Sequence, residues 1–338
     1  MTVHGIFTSD AALESADLPM VASGNKPAAC ACMRLTQMNE KEGDTMEHLS
    51  GMVIATITPM RENGTVDEKS AVNLCDYLSE NGVRTLYPNG TNGESLLLHQ
   101  DERMQMAEAF VKGSRGRFVL YIQCGALTTA ETFLHVRHAG SIGADGAGIM
   151  TPAFFPVDEA GMEQYYDGIL GAFPGLPMYL YNIPSRSGND ISAALLGCLM
   201  QRHENLLGIK YSFSDLLRVG QYAACCARRP DVLIGCDSLA LCCLMAGGSG
   251  YVSGPGAVFP KTYASIYHAF AAGNHRAAQE AQRIVLNLQS QLDGIPEIPA
   301  IKYALWKKDV IATPICRKPL RELDLSEKRR LDAVLSVC

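Results

Sequence analysis

Eight short apolar runs, each separated from the next by a longer stretch with helical periodicity, dominate the chain from residue 52 onward. They read MVIATIT (52–58), RTLYPN (84–89), FVLYIQC (118–124), GAGIMT (146–151), MYLYN (178–182), LLGIKYS (206–212), VLIGC (232–236) and SGYVSG (249–254). Runs this short and apolar at successive positions suit strands of a parallel sheet covered on both faces. The intervening segments carry helix signals. In DEKSAVNLCDYLSENG, Val72, Leu74, Cys75 and Leu78 recur near i, i+3 and i+4, and Gly82 stands where a C-terminal cap is expected. In QDERMQMAEAFVKGSRG, acids occupy the first turn and Lys112 with Gly113 the end, which complements the helix dipole. Eight such units at a spacing of roughly 25 to 35 residues predict a closed (β/α)8 barrel of about 250 residues. An open doubly wound sheet is the competitor. It wants a GxGxxG loop after its first strand, and ATITPMRENG is not one.

The expected class is therefore α/β, a (β/α)8 TIM barrel over residues 46–273 with a C-terminal helical subdomain over 274–338. The tail holds three helical patterns: TYASIYHAFAAGNHRAAQEAQRIVLNLQSQL, which contains the helix closing the barrel, then PEIPAIKYALWKKDV and SEKRRLDAVL. The basic cluster in the last reads as a solvated helix face. Residues 1–45 sustain neither periodicity and are rich in Ala, Ser, Asn and Met. They have no basic start followed by an apolar run, as a secretory signal would, and Asp10, Glu14 and Asp17 make them too acidic for a typical transit peptide. They are expected to form an extension outside the fold, with an arm packed on a neighbouring subunit as the alternative.

Composition removes several function classes. A net charge of −6 offers phosphates no basic field, so nucleic acid is not an expected partner. No window holds the roughly 18 consecutive apolar residues of a membrane-spanning helix. The 12 cysteines include the adjacent pairs Cys225–Cys226 and Cys242–Cys243 and an isolated Cys30-x-Cys32, none in a CxxC metal pattern. They are expected to be reduced, mostly buried small hydrophobes in a cytoplasmic protein.

In a (β/α)8 barrel the carboxyl ends of the strands face the active site. Those ends read GTNGES, TPAFFP, YNIPSRSG, IKYS and GCDS. Lys210 lies inside an apolar strand, where a lysine is anomalous unless it is paired or functional. Tyr181 ends the preceding strand, so neighbouring strands would bring its hydroxyl beside the ammonium. An exposed lysine, with a pKa of about 10.4, is almost wholly protonated at neutral pH. Burial disfavours an ammonium and frees the amine to form a Schiff base. Imine formation also needs proton transfers, which a tyrosine held by a neighbouring hydroxyl can supply, and Thr91 is placed to be that hydroxyl. These residues alone leave a buried structural ion pair as the other reading of Lys210.

GTNGES, YNIPSRSG and GIKYS, in that order and spacing, resemble the GTTGE-like, YNxPxxxG and G-x-K-x-S motifs of the dihydrodipicolinate synthase and N-acetylneuraminate lyase family. The resemblance spans Met46 to about Leu335. It implies a pyruvate-type aldolase or lyase acting through Lys210, with no metal and no cofactor beyond the covalent Schiff base. Lys210 would be the Schiff-base lysine, Tyr181 and Thr91 the proton relay, and Asn92 and Gly93 part of the loop holding the keto-acid carboxylate. A tyrosine lent by the adjacent subunit normally completes that relay. Here TPAFFP places Phe154 there, without a hydroxyl. Arg186 matches the arginine that meets a second carboxylate in synthase members, whereas Ser238 stands where sialic acid lyases offer a sugar-binding glutamate. Gly235 and Asp237 remain compatible with polyol binding, and Ser253 could contact the keto acid or be purely structural.

The resemblance thus implies a small 2-keto or 2-keto-3-deoxy acid as substrate, with a second carboxylate near Arg186. The synthase reaction on pyruvate and aspartate semialdehyde is the specific alternative. A non-catalytic ligand-binding or regulatory barrel is the alternative of another class. The same resemblance implies a cytoplasmic homotetramer, a dimer of dimers, with no membrane partner.

Overall fold

The computed structural model describes residues 46–336. The expectation for the first 45 residues lies outside them. Eight strands, β1 (Gly51–Ile54), β2 (Thr85–Leu86), β3 (Val119–Gln123), β4 (Gly146–Met150), β5 (Met178–Asn182), β6 (Leu206–Tyr211), β7 (Asp231–Ile234) and β8 (Gly250–Ser253), form a closed barrel in sequence order. Every neighbouring pair is parallel, and β8 returns to β1 with Ser253 opposite Ile54. Each strand falls within an apolar run read from the sequence or extends it by one residue.

Helices α1 (Glu68–Glu80), α2 (Gln100–Ser114), α3 (Thr129–Ser141) and α4 (Glu159–Ala172) follow the first four strands. The short α5 (Pro184–Ser187) and α6 (Ala193–Arg202) follow β5, and α7 (Leu216–Ala223), α8 (Ala240–Met245) and α9 (Pro260–Ala271) follow the last three. Asp67 caps α1, accepting from the Ser70 N–H, and Gly82 ends it with a φ of +82° that costs a residue without Cβ nothing. Gly113 lies in the last turn of α2. The helix runs on to Ser114 and stops at Arg115 and Gly116, both with positive φ. Gly113 permits close packing on α1: a Cβ there would lie 2.8 Å from the Cys75 sulfur.

The first tail pattern divides into two helices, α9 and α10 (His275–Gln291), broken at Gly273 with φ +71°. α11 (Glu297–Lys307) and α12 (Leu325–Leu335) complete the tail. Among the described residues all cysteines are free. Cys75, Cys124, Cys243 and Cys316 are buried as expected, while Cys198 and Cys242 are exposed. No helix of the described residues is long and apolar enough to cross a membrane.

The interior of the barrel is layered. Val53, Tyr121, Tyr179, Leu207, Leu233 and Val252 fill the amino-terminal end as a buried apolar cluster. Outward-facing residues of the same strands, such as Ile54, Leu180, Ile209 and Ile234, belong to the larger core under the helices. One irregularity decides where the site can lie. Across β5 and β6, Met178 pairs with Leu206 but Tyr179 pairs with Gly208, so Leu207 is an extra residue in β6. Strict alternation from the inward Leu207 would turn Lys210 outward; the bulge restores it to the barrel axis, the re-aiming that bulges near functional sites provide. Gly208 is needed there, because a Cβ would come within 2.0 Å of the Asp231 carbonyl oxygen.

Candidate active site

Above the apolar cluster, at the carboxyl ends of the strands, lies a polar cavity of about 240 Å³. Lys210 forms its floor. It is 4% exposed, and its ammonium lies 3.9 Å from the centre of the Tyr181 ring and 4.6 Å from that of Tyr87. Among the described residues no carboxylate pairs with it, so the ion-pair reading of this lysine has no partner in the fold. The two rings stabilise the ammonium through their π faces without supplying a counter-charge. Tyr87 is held edge-on to Tyr181, and Gly148 makes the space for it: a Cβ there would meet the Tyr87 hydroxyl at 1.7 Å.

Adjacent strands put Tyr181 opposite Lys210 in register. The Tyr181 hydroxyl lies 3.1 Å from the Thr91 hydroxyl, contributed by the loop after β2. Burial alone would raise the phenol's pKa. The Lys210 charge, together with hydrogen bonds from Thr91, Ser212 and Lys210, outweighs it and holds the phenol below its ordinary value. A phenol so placed gives up and regains a proton more readily than an isolated tyrosine. Ser212, two residues after the lysine, is therefore a member of the cluster that the sequence reading did not single out.

The remaining predicted residues divide. Arg186 and Gly235 line the same cavity, and Gly235 is required because a Cβ would lie 2.0 Å from the Ser212 oxygen. The Arg186 side chain makes no ion pair with a described residue and stays available to an anion. The Thr91 and Asn92 N–H groups take no acceptor among the described residues, as a carboxylate cradle requires. Asn92 lines the same cavity, and its side-chain amide donates to Glu297 at 3.0 Å. Gly93 lies behind the wall, with its carbonyl accepting from Thr58 at 2.7 Å. Ser253 is fully buried behind the wall too, accepting from the Gly256 N–H at 2.9 Å and hydrogen-bonding Asp237. Phe154 faces away from the cavity, 81% exposed and with φ +78°, its N–H donating to the Ser187 carbonyl.

Asp237 lines the same cavity and is 8% exposed, and its Oδ1 has no partner among the described residues. Burial pushes its carboxyl up to about 8, partly countered by Ser253 and reinforced by the charge of Glu297. An unfolded chain releases that proton near 3.8. Across this window the folded state holds a proton that the unfolded state lacks, so stability falls as pH rises from about 4 to 8. The slope attributable to one such group is at most about 1.4 kcal/mol per pH unit. Asp237→Asn should flatten this dependence in urea unfolding at pH 5 and pH 8; an unchanged slope would show that the carboxyl titrates normally.

Comparison with known proteins agrees with this architecture. Residues 48–338 match the profile described as the dihydrodipicolinate synthetase family. A 4-hydroxy-tetrahydrodipicolinate synthase of Acidiphilium cryptum is 31% identical over 286 residues, 85% of this chain and 97% of that protein. The crystal structure of dihydrodipicolinate synthase from Aquifex aeolicus superposes with a TM-score of 0.81 at 28% identity, covering 86% of this chain and 98% of that one. YagE, a prophage protein of the dihydrodipicolinic acid synthase family from E. coli K12 solved in complex with pyruvate, gives a TM-score of 0.81 at 25% identity, covering 86% and 100%. A lysine-centred cavity at the carboxyl end of a closed parallel barrel, together with these matches over nearly the whole described chain, places the protein in the dihydrodipicolinate synthetase family of lyases.

Proposed function

We propose that Lys210 is the nucleophile of a Schiff-base lyase acting on a 2-keto-3-deoxy acid with a second carboxylate. The observation that carries this reading is a buried lysine, facing a polar cavity, with a proton-exchanging tyrosine in register and no carboxylate partner. The neutral amine attacks the keto carbon, and the carbinolamine expels water as Tyr181 delivers a proton. The resulting protonated imine draws electrons from C3. The Tyr181 phenolate then takes the proton of the C4 hydroxyl as the C3–C4 bond breaks, which yields an enamine and an aldehyde; protonation of the enamine at C3 and hydrolysis of the imine release pyruvate and free lysine. Run backwards, the same steps condense pyruvate with an aldehyde. The iminium is itself the electron sink, so the scheme needs no metal or organic cofactor.

Thr91 and the N–H groups of Thr91 and Asn92 would hold the keto-acid carboxylate, and Arg186 the distal one. With Phe154 in place of a lent tyrosine, protons would pass through Thr91 and Ser212 to the cavity rather than across subunits. The exposed Leu127, Phe154 and Phe155 sit on loops after β3 and β4, and supply apolar surface for a second copy in a dimer of dimers. The free thiols suit a reducing cytoplasm.

Turnover of pyruvate with aspartate semialdehyde, N-acetylneuraminate, and 2-keto-3-deoxy acids with one or two carboxylates tests the reading. A diacid should be preferred, and Arg186→Ala should raise its KM about tenfold or more while changing that for a monoacid far less. Equal effects on both, or a preference for N-acetylneuraminate, would remove Arg186 from its assigned role.

A further inference from the structure

Lys210 rests between two aromatic rings that reach it from different sides of the barrel. Tyr181 comes from β5, the strand beside its own, whereas Tyr87 follows β2, which lies across the barrel from β6. The ring centres lie 3.9 and 4.6 Å from the Lys210 nitrogen. Tyr181 has a second task, because its hydroxyl meets Thr91 and exchanges protons in the proposed relay. Tyr87 has none. It is 0% exposed, and its hydroxyl takes no hydrogen-bond partner among the described residues. Burial, reinforced by Tyr181 and Cys124, holds its phenol well above the ordinary tyrosine value, so the ring stays neutral throughout. Backbone and shape fix its place. Its N–H donates to the Ile54 carbonyl at 2.8 Å, Gly148 leaves room for its hydroxyl, and its ring meets that of Tyr181 edge-on, 6.1 Å between centres. What such a ring offers a cation is the negative face of its quadrupole.

We infer that Tyr87 is a positioning residue for the Schiff base, whose ring face seats the Lys210 nitrogen and stabilises both of its cationic forms, the resting ammonium and the iminium. The inference rests on the Schiff-base reading of Lys210. The two cations differ in what else can hold them. The ammonium carries three N–H donors and the iminium keeps one, so more of the iminium's stabilisation falls to the rings. Charge balance fixes the sign of each effect. Capture begins with a neutral amine, so a ring that favours the ammonium withholds the nucleophile on the acid side. Once the amine is free, capture takes up one proton, delivered through Tyr181, and expels the keto oxygen as water. There the ring favours the product. Weakening its face therefore speeds capture on the acid side and thins the standing iminium on the alkaline side. Loss of packing alone does not produce both. The other titratable groups facing this site are Tyr181, Arg186, Cys236, Asp237 and Glu297, which line the same cavity. They are common to every variant at position 87, so differences among those variants belong to the ring.

The test keeps the shape of the ring and weakens its face. In the full chain, Tyr87→Phe is compared with the same position carrying ring-trifluorinated phenylalanine, whose fluorines draw electron density off the π face. Pyruvate is the probe. Borohydride quenching at a series of pH values, followed by mass spectrometry, reads the rate of capture on Lys210 and the standing iminium. Tyr87→Phe should keep both within about threefold of the parent, because the face survives. The trifluorinated protein should move the acid limb of the capture-rate profile about one pH unit lower and reduce the standing iminium at the alkaline end about tenfold. Tyr87→Leu should move both in the same directions, with an added loss of stability. Coincident profiles for phenylalanine and its trifluorinated form would overturn the role of the ring face. A Tyr87→Phe protein as altered as the trifluorinated one would place the effect in the hydroxyl and overturn it equally. Absence of pyruvate capture in the parent would overturn the Schiff-base reading, and this inference with it.

Discussion

Replacing Lys210 with methionine should lower turnover by about 10⁴-fold or more while leaving the protein at least as stable as the parent. The two halves of that expectation have one cause. Lys210 is buried against Tyr181 and Tyr87 with no counter-ion among the described residues, so its charge is a cost to the fold that the aromatic rings only partly offset. Methionine keeps the length and apolar stem, fills the same space, and removes the charge. A structural lysine would behave the opposite way: the variant would lose stability and keep activity. Activity with the preferred substrate and the urea midpoint, measured on one preparation, separate the two.

The second large effect lies at the junction of the tail and the catalytic loop. Glu94, in GTNGES, and Lys302, on α11, form an ion pair with both side chains at 0% exposure. Glu94 also accepts from the Arg317 N–H at 2.6 Å, and Lys302 donates to the Ile315 carbonyl at 2.8 Å. Nearby, Arg317 grips Glu102 of α2 through both terminal nitrogens. Glu94 has a φ of +56°, which sets the turn that presents Thr91 and Asn92. Lys302→Met leaves a buried carboxylate without its cation and should cost about 3–5 kcal/mol of unfolding free energy. Adding Glu94→Gln should recover part of that loss, because an unpaired charge and not a missing contact is the main penalty. A loss below about 1 kcal/mol in the single variant would mean that water reaches the pair and screens it.

The strands were legible because a parallel strand buried on both faces has no polar alternation to blur it. Lys210 and Tyr181 stood out for a related reason: a cation within an apolar strand is conspicuous, and parallel neighbours in a barrel come in order. What stayed hidden depended on contacts between distant segments. Nothing local in PEIPAIKY marks Glu297 as facing the cavity, since its place is set by how the tail packs over the barrel. Nor does anything local mark the hydrogen bond from the Asn92 amide to Glu297, 205 positions away. The bulge at Leu207 is invisible to hydrophobic pattern, and only Gly208 in LLGIKYS hints at it. Nor does the sequence show why Gly113 is a glycine; only the proximity of Cys75 reveals a close helix crossing.

The central claim is covalent capture of a keto acid by Lys210. Incubation of the full chain with pyruvate and borohydride, followed by peptide mapping, should find one reduced adduct, on Lys210, and none in Lys210→Met. An unmodified Lys210 under conditions that trap a known Schiff-base aldolase, or an adduct on another lysine that survives Lys210→Met, would contradict the account.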